Sequence, residues 1–141
     1  MQVEKINNQS FGMRNIKVDD EILKYGLETV KAVKYAVPEI RQHLGGKDTD
    51  LFISTGYAPQ GKRALVMTAT KISEVMKKGL FAKPKLKEVK VGTLGLPFEI
   101  GDVAKMSKDN VYENVRVLLK KLDDKIEAEK VMEEIKKLCD K

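Results

Sequence analysis

Cysteine and histidine are nearly absent from this chain of 141 residues: each occurs once, as Cys139 and His43. A single cysteine excludes an intrachain disulfide and any zinc site built from several thiolates, and it suits a reducing compartment. With one histidine, nucleophilic catalysis by a histidine base would have to run through His43. That residue falls at the end of a short helical stretch beside Gly45 and Gly46, where a surface role is expected. Cys139 lies in the last turn of a helical pattern, where fraying works against a precise reactive site. Tryptophan is missing, and only four of the 27 basic residues are arginines. Lysine is a hydrated point charge without the planar fork of arginine, so this bias favours contact with phosphates over reading of bases. No apolar run approaches the ~18 residues of a membrane span, and the first residues, MQVEKINNQSFGM, carry no apolar core of a signal peptide. A soluble cytoplasmic protein with no membrane partner is expected.

The acidic residues offer no alternative chemistry. Asp48 and Asp50 precede an apolar run and read as turn residues, and Asp19, Asp20 and Glu21 read as a helix cap. Gly56 to Lys62 fails the spacing of a phosphate loop, since Gly61-Lys62 leads into Arg63 and a strand; Gly92 to Gly95 fails likewise. No enzyme, no cofactor and no metal are expected.

What the chain has in plenty is lysine, and it is concentrated. Lys77 to Lys90 (KKGLFAKPKLKEVK) holds six lysines against one glutamate, which is +5 of the chain's formal +6. A field of that sign attracts phosphate backbones and acidic surfaces alike. With 42% hydrophobic residues the length suits one domain, read as 1–141 with 1–10 as a flexible N-terminal stretch.

Along the chain, 11–18 reads as a strand. A helix capped at Asp19 or Asp20 carries Ile22, Leu23, Gly26, Leu27, Val30, Val33 and Val37 inward, and Pro38 ends it or opens a second short one. DLFIST (50–55) and RALVMTAT (63–70) read as a hairpin around a long loop, 56–62, and 71–78 as a turn or two of helix. The stretch 86–94 reads as a strand, followed by a kink, bulge or second hairpin at Gly92, Gly95 and Pro97. From Ser107 onward the pattern is helical. Val111, Tyr112, Val115, Leu118, Leu119, Leu122 and Ile126 form one stripe, and Val131, Met132, Ile135 and Leu138 are the inward set of a continuation or of a separate last helix. The fold class expected is α+β: a small mixed or antiparallel sheet of about four strands with helices on one face.

At 110–126 the sequence NVYENVRVLLKKLDDKI, with Tyr112, Val115, Leu118, Lys121, Leu122 and Ile126, resembles the last helix of the ribosome hibernation promoting factor family. The order of elements is similar to that family's β-α-β-β-β-α. The resemblance spans 17 residues. It implies a basic domain lying in the messenger and transfer RNA channel of the small ribosomal subunit, held by Lys and Arg on ribosomal RNA phosphates. On that footing Lys120 and Lys121 join the basic stretch as candidates.

The leading expectation is a non-enzymatic basic binding domain directed at RNA or the ribosome. Its candidate contacts are Lys77, Lys78, Lys83, Lys85, Lys87 and Lys90, with Tyr57, Lys62 and Arg63 as a second contact. There a ring for stacking on a base would sit beside charge, unless Tyr57 folds onto the sheet. The alternative is a protein-interaction or structural module that uses the apolar side of its C-terminal helix or an exposed strand for a protein partner or for self-association.

Overall fold

The computed structural model describes residues 12–77, 85–100 and 107–140. The strands are β1 (Asn15–Val18), β2 (Thr49–Tyr57), β3 (Arg63–Lys77) and β4 (Lys85–Glu99); the helices are α1 (Leu27–His43) and α2 (Lys108–Cys139). They form an open four-stranded mixed sheet in the order β1-β2-β3-β4, with β1 parallel to β2 and the other pairs antiparallel. The chain is therefore α+β. One sheet face carries Leu51, Ile53, Leu65, Met67 and Ala69, all buried. They share a core with Ala32, Val33, Ala36 and Ile40 of α1 and with Val111, Val115, Leu118, Leu122 and Ile126 of α2. On the opposite face Phe52 is 41% exposed.

β1 is shorter than expected, and Phe11 and the stretch 1–10 fall outside the described residues. After β1 the Asp19 carboxylate accepts from the Glu21 backbone N–H at 3.2 Å and from the Ser54 hydroxyl on β2 at 2.7 Å. It thereby caps a 3-10 turn, Asp20–Tyr25, and pins that turn to the sheet. Gly26, at φ 94°, interrupts the helical path before α1 begins. A periodicity read across that break slips: Ile22 and Val33 are buried, whereas Leu23 and Leu27 are 69% and 65% exposed. α1 also runs through Pro38 to His43 without ending there. Pro38 and Lys34, whose carbonyl loses its helical partner, are both exposed, so water can serve that carbonyl. Full burial of Ala36 and Ile40 on either side of the proline offsets the cost.

The β2–β3 connection is tighter than the expected seven-residue loop, because Gly56 and Tyr57 pair with Ala64 and Arg63. A Cβ on Gly56 would clash with Val66 Cγ2, so this glycine serves close strand packing and not a turn. The stretch 71–77 is strand, not helix. Its Ile72-Val75-Met76 spacing suits a helix locally, but ladder bonds to β4 decide the outcome. Lys71 pairs with Gly92 and Ile72 with Lys90, so Val91 is the extra residue of a bulge. Beyond it β4 continues through Gly95 and Pro97, the proline being tolerated on an edge strand.

α2 is a single helix of 32 residues across Asp123 and Asp124, capped by Ser107, whose Oγ accepts from the Asn110 N–H at 3.4 Å. The first stripe packs as expected, with Tyr112 and Leu119 at its margin. The second does not: Val131, Met132, Ile135 and Leu138 are 44%, 51%, 45% and 73% exposed. Ile126 is the last residue of α2 in the core among the described residues.

Two tests follow from this packing. A Cβ on Gly92 would meet Ile126 Cγ1 at 2.7 Å, so Gly92→Ala should lower stability by about 1–3 kcal/mol in a urea titration at constant m-value. The Asp19 carboxyl is held below its usual range by the Ser54 hydroxyl and, next, by the Glu21 N–H. It thus contributes stability above the unfolded carboxyl pKa of about 3.9, lost as pH falls through the lower folded value. Asp19→Asn should lower Tm at pH 7 and lose that deficit during acid titration followed by circular dichroism.

Candidate nucleic-acid interface

The described ends of the basic stretch, Lys77 and residues 85–90, belong to a two-stranded arm. Past the bulge, β3 and β4 stay paired through six rungs, from Ile72 opposite Lys90 to Lys77 opposite Lys85. At 3.3 Å per residue the arm is about 20 Å long. Strand alternation puts Ser73, Val75, Lys87 and Val89 on one face and Ile72, Glu74, Glu88 and Lys90 on the other. Lys87 and Lys90 are exposed. The backbones of Lys77 and Lys85 are direct cross-strand partners. Lys78 and Lys83 lie outside the described residues.

At the root of the arm, Arg14 donates to Asp50 Oδ2 at 3.0 Å and to Glu88, so one guanidinium joins β2 to β4. α2 crosses the same root. Leu122 and Ile126 lie over Gly92, and Lys125 Nζ donates to the Thr93 carbonyl at 2.7 Å. Lys71 reaches Asp123 at 3.0 Å. Lys120 rims a groove with His43, Lys71 and Arg116, between the end of α1 and α2. Lys121, exposed, follows on the same turn. The fold thus brings Lys120 and Lys121 about one turn of helix from the arm root. It also adds Arg14, Lys71 and Lys125, which sequence reasoning missed because their neighbours there are remote in the chain.

The second expected contact is elsewhere. Arg63 opens β3 and Lys77 closes it, so the turn holding Tyr57, Lys62 and Arg63 lies about 46 Å from the end of the arm. One surface for both sets is excluded by the length of the strand. Lys62 is 3.6 Å from Glu99, and the Arg63 guanidinium lies 5.6 Å from the Tyr25 ring centroid. Tyr57 is 71% exposed and does not fold onto the sheet.

Lys108 pairs with Glu39 at 3.0 Å, which raises the lysine pKa. Arg116 pairs with Glu113, raising the arginine and lowering the glutamate. Lys87, Lys90, Lys120 and Lys121 enter none of the ion pairs among the described residues. His43 and Cys139 are exposed. Among the described residues no three His, Cys, Asp or Glu side chains gather as a metal site, and no helix is long and apolar enough to cross a membrane. No protein-family model matches the chain, and no curated protein matches it.

If the Arg14 fork anchors the arm, Arg14→Ala should speed amide hydrogen exchange in residues 86–90 several-fold while leaving α1 protection unchanged. Equal exchange in both chains would show that the β3–β4 ladder alone holds the arm.

Proposed function

We propose that this chain is a non-enzymatic RNA-binding domain whose lysine-bearing hairpin arm, with Lys120 and Lys121 near its root, lies along phosphates of structured RNA, that of the ribosome being the first to test. The observation that carries the reading is the arm itself. Its described strands carry Lys77, Lys85, Lys87 and Lys90 against Glu74 and Glu88, and Lys87 and Lys90 are exposed and enter none of the ion pairs among the described residues. Lysine without arginine on this ribbon suits phosphate contact and makes base-specific recognition secondary. The element order, β-α-β-β-β-α, is also that of the hibernation factors, but order alone carries no function.

Labelled structured RNA, titrated at several salt concentrations, tests the proposal. Each phosphate contact contributes about 0.7–0.9 to the slope of log K against log salt. Changing Lys85, Lys87 and Lys90 to glutamate should therefore flatten the slope by about 2–3 and abolish binding at physiological salt, with circular dichroism unchanged. Lys62→Glu, at the far end of the sheet, should leave both intact. Binding that is insensitive to salt, or equal loss in both variants, refutes the arm as the contact.

A further inference from the structure

The sheet face turned away from the helices carries its own chemistry. Strand alternation puts Asn15 and Lys17 of β1, Asp50 and Phe52 of β2, and Thr68 and Thr70 of β3 on that face. The register sets them in two rows, Asn15–Asp50–Thr70 and Lys17–Phe52–Thr68. These residues line one hollow of about 470 Å³, a size found among small-ligand sites. Three strands and two residues along each make a patch roughly 10 by 7 Å, about the extent of one base with its sugar and phosphate. Phe52, 41% exposed, stands on the middle strand with Lys17 beside it in the parallel pair. Past Thr68 its row reaches Gly95 on β4, where a Cβ would meet Thr68 Oγ1 at 2.9 Å, so the row ends in bare backbone.

We infer that this hollow takes one unpaired nucleotide of an RNA whose paired part lies along the arm, an inference that rests on the RNA-binding reading. The Phe52 ring is the stacking surface for the base. Lys17, exposed and in none of the ion pairs among the described residues, is the cation beside it for the phosphate. The polar neighbours select the occupant. An apolar protein surface laid on Phe52 would strip water from Asn15, Asp50 and Thr68 with nothing in exchange, whereas a base brings an apolar face for the ring and donors and acceptors on its edge. Asp50 accepts from Arg14 through Oδ2 at 3.0 Å, while its Oδ1 is buried with no hydrogen-bond partner among the described residues. An acceptor in that state is costly, and every RNA base carries an N–H on its edge. The Asp50 side chain is 30% exposed, so a small turn of its carboxylate presents an oxygen to the hollow. Arg14 also sets a positive charge against that carboxylate, which lessens its opposition to a nearby phosphate. The place agrees with the arm. Thr70 lies two residues, about 7 Å, before Ile72 at the first rung, and the Arg14 fork ties Asp50 to Glu88. An RNA helix lying on the arm can therefore end, or bulge, within reach of the hollow.

Three RNA hairpins, titrated at one salt concentration, test this: one blunt, one extended by a few adenosines at each end, and one with the same extensions made abasic, which keeps the phosphates and removes the bases. The native chain should bind the adenosine form about tenfold tighter than the abasic form, the effect of stacking one base. Phe52→Leu should erase that difference while the blunt hairpin's affinity and the circular dichroism stay unchanged. Phe52→Tyr, which keeps a ring, should retain it. Equal binding of the adenosine and abasic forms by the native chain, or a preference that survives Phe52→Leu, overturns the inference and leaves the arm reading standing. If no hairpin binds, the RNA-binding reading fails and this inference with it.

Discussion

The approach of α2 to the sheet at Gly92 is the contact on which the rest of the molecule depends. Ile126 rests where a side chain on residue 92 would be, and this is the last point at which helix and sheet share a core. Below it every inward position of α2 is apolar and buried. Above it the described sheet narrows to two strands, and every described residue of the helix is exposed. Burial of a common apolar face is what holds helix to sheet, so the loss of that face sets both projections free. The arm and the part of α2 past Ile126 run outward together because α2 runs antiparallel to β4, with Asn114 near Phe98 and Ile126 over Gly92.

The two projections carry different surfaces. The arm is basic and two-stranded, joined to the body through Arg14 and through the ladder itself. The end of α2 is nearly balanced in charge, acidic at its base and basic at its tip, with Val131, Met132, Ile135 and Leu138 exposed.

The sequence was most legible where one element's own pattern matched its surroundings. The first stripe of α2, the Ser107 cap, the cap at Asp19 and the two strands of the β2–β3 hairpin all follow from local rules. Reading failed where a distant partner decided. Ile72, Val75 and Met76 have helical spacing, yet pairing with β4 makes them strand. Pro38 is a strong breaker, yet burial at Ala36 and Ile40 carries α1 past it. Leu23 and Leu27 seemed to join one stripe because Gly26 was counted as a helical residue. Among the candidate contacts, Lys87 and Lys90 are both exposed on the arm but alternate onto its opposite faces. Tyr57, Lys62 and Arg63 were grouped with them by chemistry alone and lie at the other end of β3.

By itself the sequence determined composition and local preference: the lone cysteine, the concentration of lysine at 77–90, the α+β class, and the apolar periods of each helix. These are properties of neighbours along the chain, set by side-chain type and a spacing of two or 3.6 residues. Tertiary structure alone decided which apolar stripe is covered, which lysines find carboxylates, and that Lys77 and residues 85–90 pair as two strands of an arm. Each depends on residues that meet across the fold: Gly92 under Ile126, Arg14 between Asp50 and Glu88, Lys71 beside Asp123. A period along one helix states that a face is apolar, but only the packed sheet states where that face stops being buried.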